Sequence, residues 1–411
     1  MKILAIGDTA DNIYTLQKFA KNFSIHLINF PRKQAALKTV SDNVEFFDSL
    51  LIHKQVKKIE QIKEEFDMCI VMSWAAARIA YLAGINYIMY FVGGDIMTPP
   101  FVKNAKLTYA KEATNRFNFF ERNFYKRVFN SAIACVTITD EYFEQLKKFR
   151  KDAIRLDRIA VDTTLFNPNI ERMHLEKPKF TFLSAQRMGM EKGFDVIWKA
   201  LELTKSDFRV LQVEWFIEKT NEEKIFKEKL IKTKPKQIEF IPIIKRTELG
   251  KYFKYADVIL GQMRVGAQGG IERDAAYCKK TVISFCDLNQ QMNIDGKNIQ
   301  PPFLPNSKNP QVLADLLDRV VNDKKFCDEL AEKEYEYVKK LSNPEKVTLD
   351  WEKIFKKYLD KSNGISRKVN PMKLKMEKRI AIILEKIFYK RKYASKNIEG
   401  WGKEKYKTLT Q

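Results

Sequence analysis

FTFLSAQRMGMEKGFDVIWKAL, residues 180–201, decides the fold. FTFLSA is a short apolar run of strand length, RMGMEKG is a basic turn, and KGFDVIWKALEL reads as a helix, so strand, turn and helix follow one another without a break. Outward from it, the strand-like runs FRVLQVEWF, QIEFIPI, DVILGQ and TVISF alternate with the helical segments NEEKIFKEKLI, ELGKYFKYA and one beginning near Gly270. The same alternation runs upstream: KILAIG, IYTLQKFAKN, IHLINF, MCIVMS, AAARIAYLAG and YIMYFV, a long helical segment around 104–130, then ACVTIT, DEYFEQLKKF and RLDRIAV. These buried runs lack period-two polarity, as strands covered by helices on both faces do. The pattern predicts two parallel α/β units. The polar stretch PNIERMHLEKPK at 168–179 carries two prolines and reads as the linker between them. Helical segments fill 310–359, and Asn363, Gly364 and Pro371 then break the pattern. The expected boundaries are 1–168, 169–345, a closing helix at 346–360 and a tail at 361–411.

The chain of 411 residues corresponds to about 2.7 domains of ordinary size. With 45% hydrophobic and 31% charged residues, and only 15 Gly and 13 Pro, it is neither collagen-like nor mostly disordered. Lys and Arg number 74 against 52 Asp and Glu, an excess of +22. Residues 361–411 hold 15 Lys/Arg against four acids, so half of that excess lies in the tail. The five scattered cysteines are an odd number and imply a reduced, cytoplasmic setting. MKILAIGDTA is too short for a secretory signal, and no apolar run approaches the roughly 18 residues that cross a bilayer. Any membrane contact is therefore expected to be peripheral, at the inner face of the cell membrane.

Three segments carry candidate chemistry. Arg187 and Lys192 follow a strand, and Lys192-Gly193 opens a helix, an arrangement suited to a diphosphate; two solvated basic residues in a Lys-rich chain is the other reading. In MRVGAQGGIERDAAYCKKTVIS, Gly266, Gly269 and Gly270 let backbone approach a ligand, and Glu272 or Asp274 can accept from ribose hydroxyls. Two residues apart on a helix is about 200° of rotation, so only one of these acids can face a ligand; alternatively both simply complement the helix dipole. Gly7-Asp8 and Gly93-Gly94-Asp95 each follow an apolar strand and place a carboxylate where ligands of doubly wound sheets sit, or are tight turns. His26, His53 and His174 lie in unrelated contexts, and no HExxH, GxSxG, Walker A or DxD sequence occurs. No metal site is expected.

In order, these pieces resemble the family 4 glycosyltransferases of the GT-B fold. VDTTLFNP at 161–168 is similar to "VDxxxFxP", AQRMGMEKGFDVIWKAL at 185–201 to "GRLxxEKGxDxLLxAL", and GAQGGIERDAAYCKKTVIS to "GxxGxxxLEAMACGKPVI". ELGKYFKYADVIL at 248–260 and PPFLPNSKNPQVLADLL at 301–317 continue the resemblance. It implies an α/β GT-B architecture of two doubly wound Rossmann-like domains facing a central cleft, with the basic helical tail added. It also implies a UDP- or GDP-linked nucleotide-sugar donor bound by the second domain as a substrate, no cofactor, and sugar transfer with retention to an acceptor bound by the first. Arg187 and Lys192 match the family's R-x4-K pair, which neutralises the departing diphosphate. Aligning Cys278, Lys280 and Val282 with "CGKPV" puts Asp274 at the family's second glutamate and Gly266 at its first. The other register uses Glu272 with Arg264 and breaks the Cys-Lys-Val match, so Asp274 is preferred. The catalytic set is then Arg187, Lys192 and Asp274. Gly266, Gly269, Gly270 and Glu272 bind donor, and Gly7, Asp8, Gly93, Gly94 and Asp95 line the acceptor side.

ATNRFNFFERNFYKRVFNSA puts Phe117, Phe120, Phe124 and Val128 at helical spacing as core positions and leaves Phe119 and Tyr125 exposed. PMKLKMEKRIAIILEKIFYKRKYASK reads as an amphipathic helix; residues 371–396 could lie on anionic headgroups, or pack on a domain with a solvated basic face. The sequence thus points to a glycosyltransferase acting on a glycan or lipid-linked acceptor in surface polysaccharide, glycolipid or lipid-linked oligosaccharide assembly. A noncatalytic glycosyltransferase-like scaffold is the competing reading. Nucleic acid is not an expected partner, because the charge is concentrated in the tail and no recognition module is present.

Overall fold

The computed structural model describes residues 1–8, 10–30, 44–49, 51–103, 105–106, 113–114, 117–216, 218, 221–362 and 371–393. The rest of the expected basic tail, 363–370 and 394–411, lies outside the described residues.

The first unit is built on seven strands: β1 (Lys2–Ile6), β2 (Ser24–Asn29), β3 (Glu45–Phe46), β4 (Met68–Val71), β5 (Tyr87–Phe91), β8 (Ala134–Thr137) and β9 (Ile154–Arg155), with β6 (Ala105–Lys106) and β7 (Ala113–Thr114) paired apart. The sheet order β3-β2-β1-β4-β5-β8-β9 is parallel throughout. Its central strands MCIV and YIMYF are buried at every position, which explains their lack of alternation. The connecting helices are α1 (Asn12–Phe19), α2 (Ile52–Ile62), α3 (Trp74–Ala83), α4 (Phe119–Asn130) and α5 (Asp140–Lys147). Of the helix expected around 104–130, the described residues include α4, which Asn118 and Glu121 start with a reciprocal capping box, while 105–106 and 113–114 pair as strands.

The second unit has five parallel strands, β10 (Thr181–Ser184), β11 (Arg209–Val213), β12 (Ile238–Ile241), β13 (Val258–Leu260) and β14 (Thr281–Ile283), in the order β12-β11-β10-β13-β14. Its helices are α6 (Phe194–Leu203), α7 (Asn221–Lys232), α8 (Arg246–Tyr255), α9 (Gly270–Tyr277), α10 (Pro310–Asn322) and α11 (Lys324–Leu341), and β15 (Met292–Ile294) and β16 (Lys297–Ile299) form a small hairpin.

The compact units part at Leu156/Asp157 and again at Pro344/Glu345. Residues 157–167 pack on the second unit because Arg158 pairs with Asp295, Val161 N–H donates to Ser342 O and Phe166 stacks on Phe253. The polar stretch after them is not a free linker. Lys254 Nζ donates to Pro168 O at 3.0 Å and Tyr255 Oη to Glu176 O at 2.7 Å, strapping it to α8.

Two last helices, α12 (Pro344–Ser362) and α13 (Pro371–Tyr393), return to the first unit. Trp351 of α12 is fully buried, edge-on to Tyr90 of β5 at 4.8 Å and beside Phe355, which in turn meets Phe23. Asn22 donates to Glu352 at 2.7 Å. Helix α13 packs on α2 and α3. Trp351→Ala removes the largest buried side chain of this seam and is expected to lower unfolding free energy by about 3–5 kcal/mol, measured as a shift of the urea midpoint.

Candidate active site

Each sheet reverses its strand order once, between β1 and β4 in the first unit and between β10 and β13 in the second. A ligand crevice forms outside the carboxyl ends of the strands at such a point. In the second unit the two loops there are 185–193 and 261–269, so motifs some eighty residues apart in sequence become neighbours.

Gly193 holds the first loop in shape. It caps α6 with φ +71°, and a Cβ there would stand 2.9 Å from the Met263 carbonyl carbon. That close approach lets Met263 N–H donate to Lys192 O at 2.9 Å, while Arg264 makes a two-pronged pair with Asp195 in the first turn of α6 at 2.6 and 2.7 Å. Gln262, almost fully buried, organises the second loop from inside. Its Oε1 accepts from the amides of Arg264 and Val265 at 3.1 and 2.6 Å, and its Nε2 donates to Val265 O and Ala267 O.

On this frame Lys192, Gly269 and Glu272 converge. A Cβ on Gly269 would be 2.7 Å from Glu272 Oε2 and 4.0 Å from Lys192 Nζ, so the three residues lie close together. Glu272 is buried, and its Oε1 accepts the Gln262 N–H at 3.0 Å. Gly270 has open space at its Cβ position and begins α9, whose amino end adds partial positive charge beside Lys192. Arg187 lies over the Trp215 ring, 5.4 Å from its centroid, with Glu191 at 3.8 Å. Next to it, both polar ends of the buried Gln186 carboxamide have no partner among the described residues. Orphaned polar atoms are costly unless something completes them.

The two acids of α9 part as their 200° separation requires, but not in the preferred register. Asp274 turns away from the glycines into a buried ion pair with Arg246 of α8 at 2.8 Å, and Arg246 covers Phe166 at 4.8 Å. Glu272 is the acid at the glycine loop. Gly266 cannot hold a side chain, because a Cβ would lie 2.3 Å from Asp287 Cβ. The Asp287 backbone and Cβ occupy that space, and its carboxylate accepts from Asn289 at 3.0 Å. Nothing in the sequence marked Gln262, Trp215 or Asp287, since each acts only once the loops meet. The KKTV segment lies at the opposite, amino-terminal edge of the strands. There Lys279 keeps a left-handed φ of +58° where the family pattern has glycine, and burial pushes the Lys280 ammonium down to about 8 despite nearby Asp257.

In the first unit Gly7 takes φ +74° under Met72 O. Asp8 is buried and accepts the Ile13 and Tyr14 amides at 3.1 and 3.0 Å, which commits it to starting α1. Asp95 is exposed. Its carbonyl accepts the Trp74 Nε1–H at 3.0 Å, and Gly94 O accepts from Met97 N–H and Thr98 N–H. The structure therefore brings Gly93, Gly94 and Asp95 beside Trp74 and leaves Asp8 apart. Among the described residues no group of three or more His, Cys, Asp and Glu forms a metal site.

A parallel sheet whose strand order switches once, flanked by helices, defines a doubly wound α/β class of unit. Residues 167–337 match the family model described as glycosyl transferases group 1. Solved structures similar to it include HepE of Anabaena in complex with UDP and glucose, 13% identical with a TM-score of 0.62, covering 87% of this chain and 100% of that one. Sucrose-phosphate synthase of Thermosynechococcus elongatus is 14% identical with a TM-score of 0.61 over 88% and 100% of the two chains. A glycosyltransferase of Rickettsia africae is 16% identical with a TM-score of 0.56 over 87% and 98%. The chain has the GT-B glycosyltransferase fold. No curated protein sequence matches it.

Asp274→Ala removes the carboxylate paired with the buried Arg246 guanidinium and is expected to cost about 3–5 kcal/mol in chemical denaturation, much of it recovered by adding Arg246→Met. Lys280 binds its proton less tightly folded than unfolded, so its contribution to stability rises with pH from about 8 towards the unfolded value near 10.5. Lys280→Met is expected to raise the melting temperature at pH 7 and to lose that advantage near pH 10.

Proposed function

We propose that the protein is a retaining, metal-independent glycosyltransferase that moves a sugar from a UDP- or GDP-linked donor to a glycan or lipid-linked acceptor in surface polysaccharide, glycolipid or lipid-linked oligosaccharide assembly. The observation that carries this reading is the convergence of Lys192, Gly269 and Glu272 at the strand-order switch of the second unit. Arg187 and Lys192 would neutralise charge growing on the diphosphate as the glycosidic bond breaks. The Gly269-Gly270 backbone and the amino end of α9 would hold the phosphates, and Glu272 would accept hydrogen bonds from donor hydroxyls. No protein nucleophile is needed. Asp274 then positions α8 and α9 rather than touching donor. HepE of Anabaena binds UDP and glucose, which supports a UDP-linked donor here. The Gly94–Asp95 turn beside Trp74 offers a carboxylate and an indole to an acceptor hydroxyl and sugar face. The buried free cysteines support a cytoplasmic setting.

A thermal-shift and calorimetric panel of UDP, GDP, ADP and their sugar conjugates tests this. One nucleotide diphosphate is expected to raise the melting temperature by several degrees, about 2.7 kcal/mol at a hundredfold excess over Kd, and Arg187→Ala/Lys192→Ala to abolish the shift. No response to any nucleotide would overturn the donor assignment. A second reading, a noncatalytic nucleotide- or sugar-binding scaffold, rests on Gly266, which has no room for a side chain where the family's pattern has its first acid. Selective nucleotide binding without donor hydrolysis or transfer would favour it.

A further inference from the structure

We propose that the outward face of α13, together with the first turn of α4, is a docking surface for an anionic lipid bilayer. The surface belongs to the first unit and does not depend on the donor site. The tail helix has two apolar stripes on opposite faces, not the single one expected of an amphipathic helix. Leu374 and Ala381 face inward and pack against the core of the first unit. Between them Glu377, 6% exposed, accepts the Tyr81 Oη–H at 2.6 Å and pairs with Arg127 Nε at 2.6 Å, and Lys378 pairs with Glu60. These partners sit on α3, α4 and α2, so α13 is pinned on three neighbours and cannot roll. Burial, with Glu377 alongside, pushes the Tyr81 phenol well above its usual range, so it stays a donor.

Pinned this way, α13 turns Met372, Met376, Ile380 and Ile383 outward, 79, 55, 46 and 55% exposed. Their spacing of four, four and three residues draws one stripe along the helix. At about 100° per residue, Lys375 and Arg379 flank it on one side and Lys373 on the other. Phe119 and Phe120, 64 and 79% exposed, open α4, and Phe120 shares the α4 face of Arg127, about two turns before it. A contiguous apolar stripe is costly to leave in water. Cations on both flanks would oppose one another if two copies paired face to face, whereas acyl chains under anionic headgroups satisfy stripe and flanks together. Phe120 and Tyr125 exchange the places expected from sequence, because Tyr125 is buried against Trp74 and Phe117.

Co-sedimentation of the full chain with vesicles tests this, using phosphatidylcholine alone and phosphatidylcholine mixed with phosphatidylglycerol. The wild type is expected to bind the anionic vesicles, more weakly as salt rises, and the neutral ones poorly. Met376→Glu/Ile380→Glu is expected to reduce binding roughly tenfold, and Phe119→Glu/Phe120→Glu to reduce it separately, with unchanged thermal unfolding and nucleotide response. Leu349→Glu, at an exposed apolar position on α12, is expected to change nothing. Three results would overturn the proposal: wild type that stays in the supernatant, a stripe variant that still pellets, or a wild-type dimer in sedimentation velocity that the stripe variant dissociates.

Discussion

The close approach of the loops after β10 and β13 is the constraint on which the candidate site depends. Parallel pairing of Phe182 with Val258 and Leu183 with Ile259 brings the two strand ends side by side at the switch point. Gly193 then permits backbone contact that any side chain would block, and the Met263–Lys192 hydrogen bond and the Arg264–Asp195 pair close the seam. The cost of a left-handed residue and of ordering a glycine-rich loop is offset by a core of fully buried strands beneath. The two loops are thus joined by backbone packing and by one ion pair across the seam.

That seam also separates two roles that the sequence places two residues apart. Glu272 is held at the loop by the Gln262 amide, and Asp274 is held in the core by Arg246. A buried carboxylate without a partner would lose its charge or destabilise the unit, so each acid has found a donor on a different element. The one at the glycine loop accepts from a backbone amide, leaving its second oxygen beside Gly269.

The first unit is completed by the end of the chain. Trp351 packs edge-on to Tyr90, and Glu377 and Lys378 together lock the last described helix to three others. Exposed surface ion pairs along α12 add little by comparison. What these helices contribute is apolar burial on one side and, on α13, an orientation for what stays outside.

Much of the architecture was legible in the residues themselves. Short apolar runs separated by helical segments permit only parallel, helix-covered sheets, and RMGMEKG between such elements already marks a basic loop at a strand end. Local pattern carries these because strand, turn and helix are set by neighbours in sequence. Only the tertiary structure decided which acid faces the glycines, since the choice rests on Arg246 and Gln262, partners 28 and 10 residues away. It decided equally that Asp8 serves α1, that the proline-containing stretch is strapped to α8, and that Tyr125 rather than Phe120 is buried. Each of these depends on contacts between distant segments, whose energies a linear pattern does not contain.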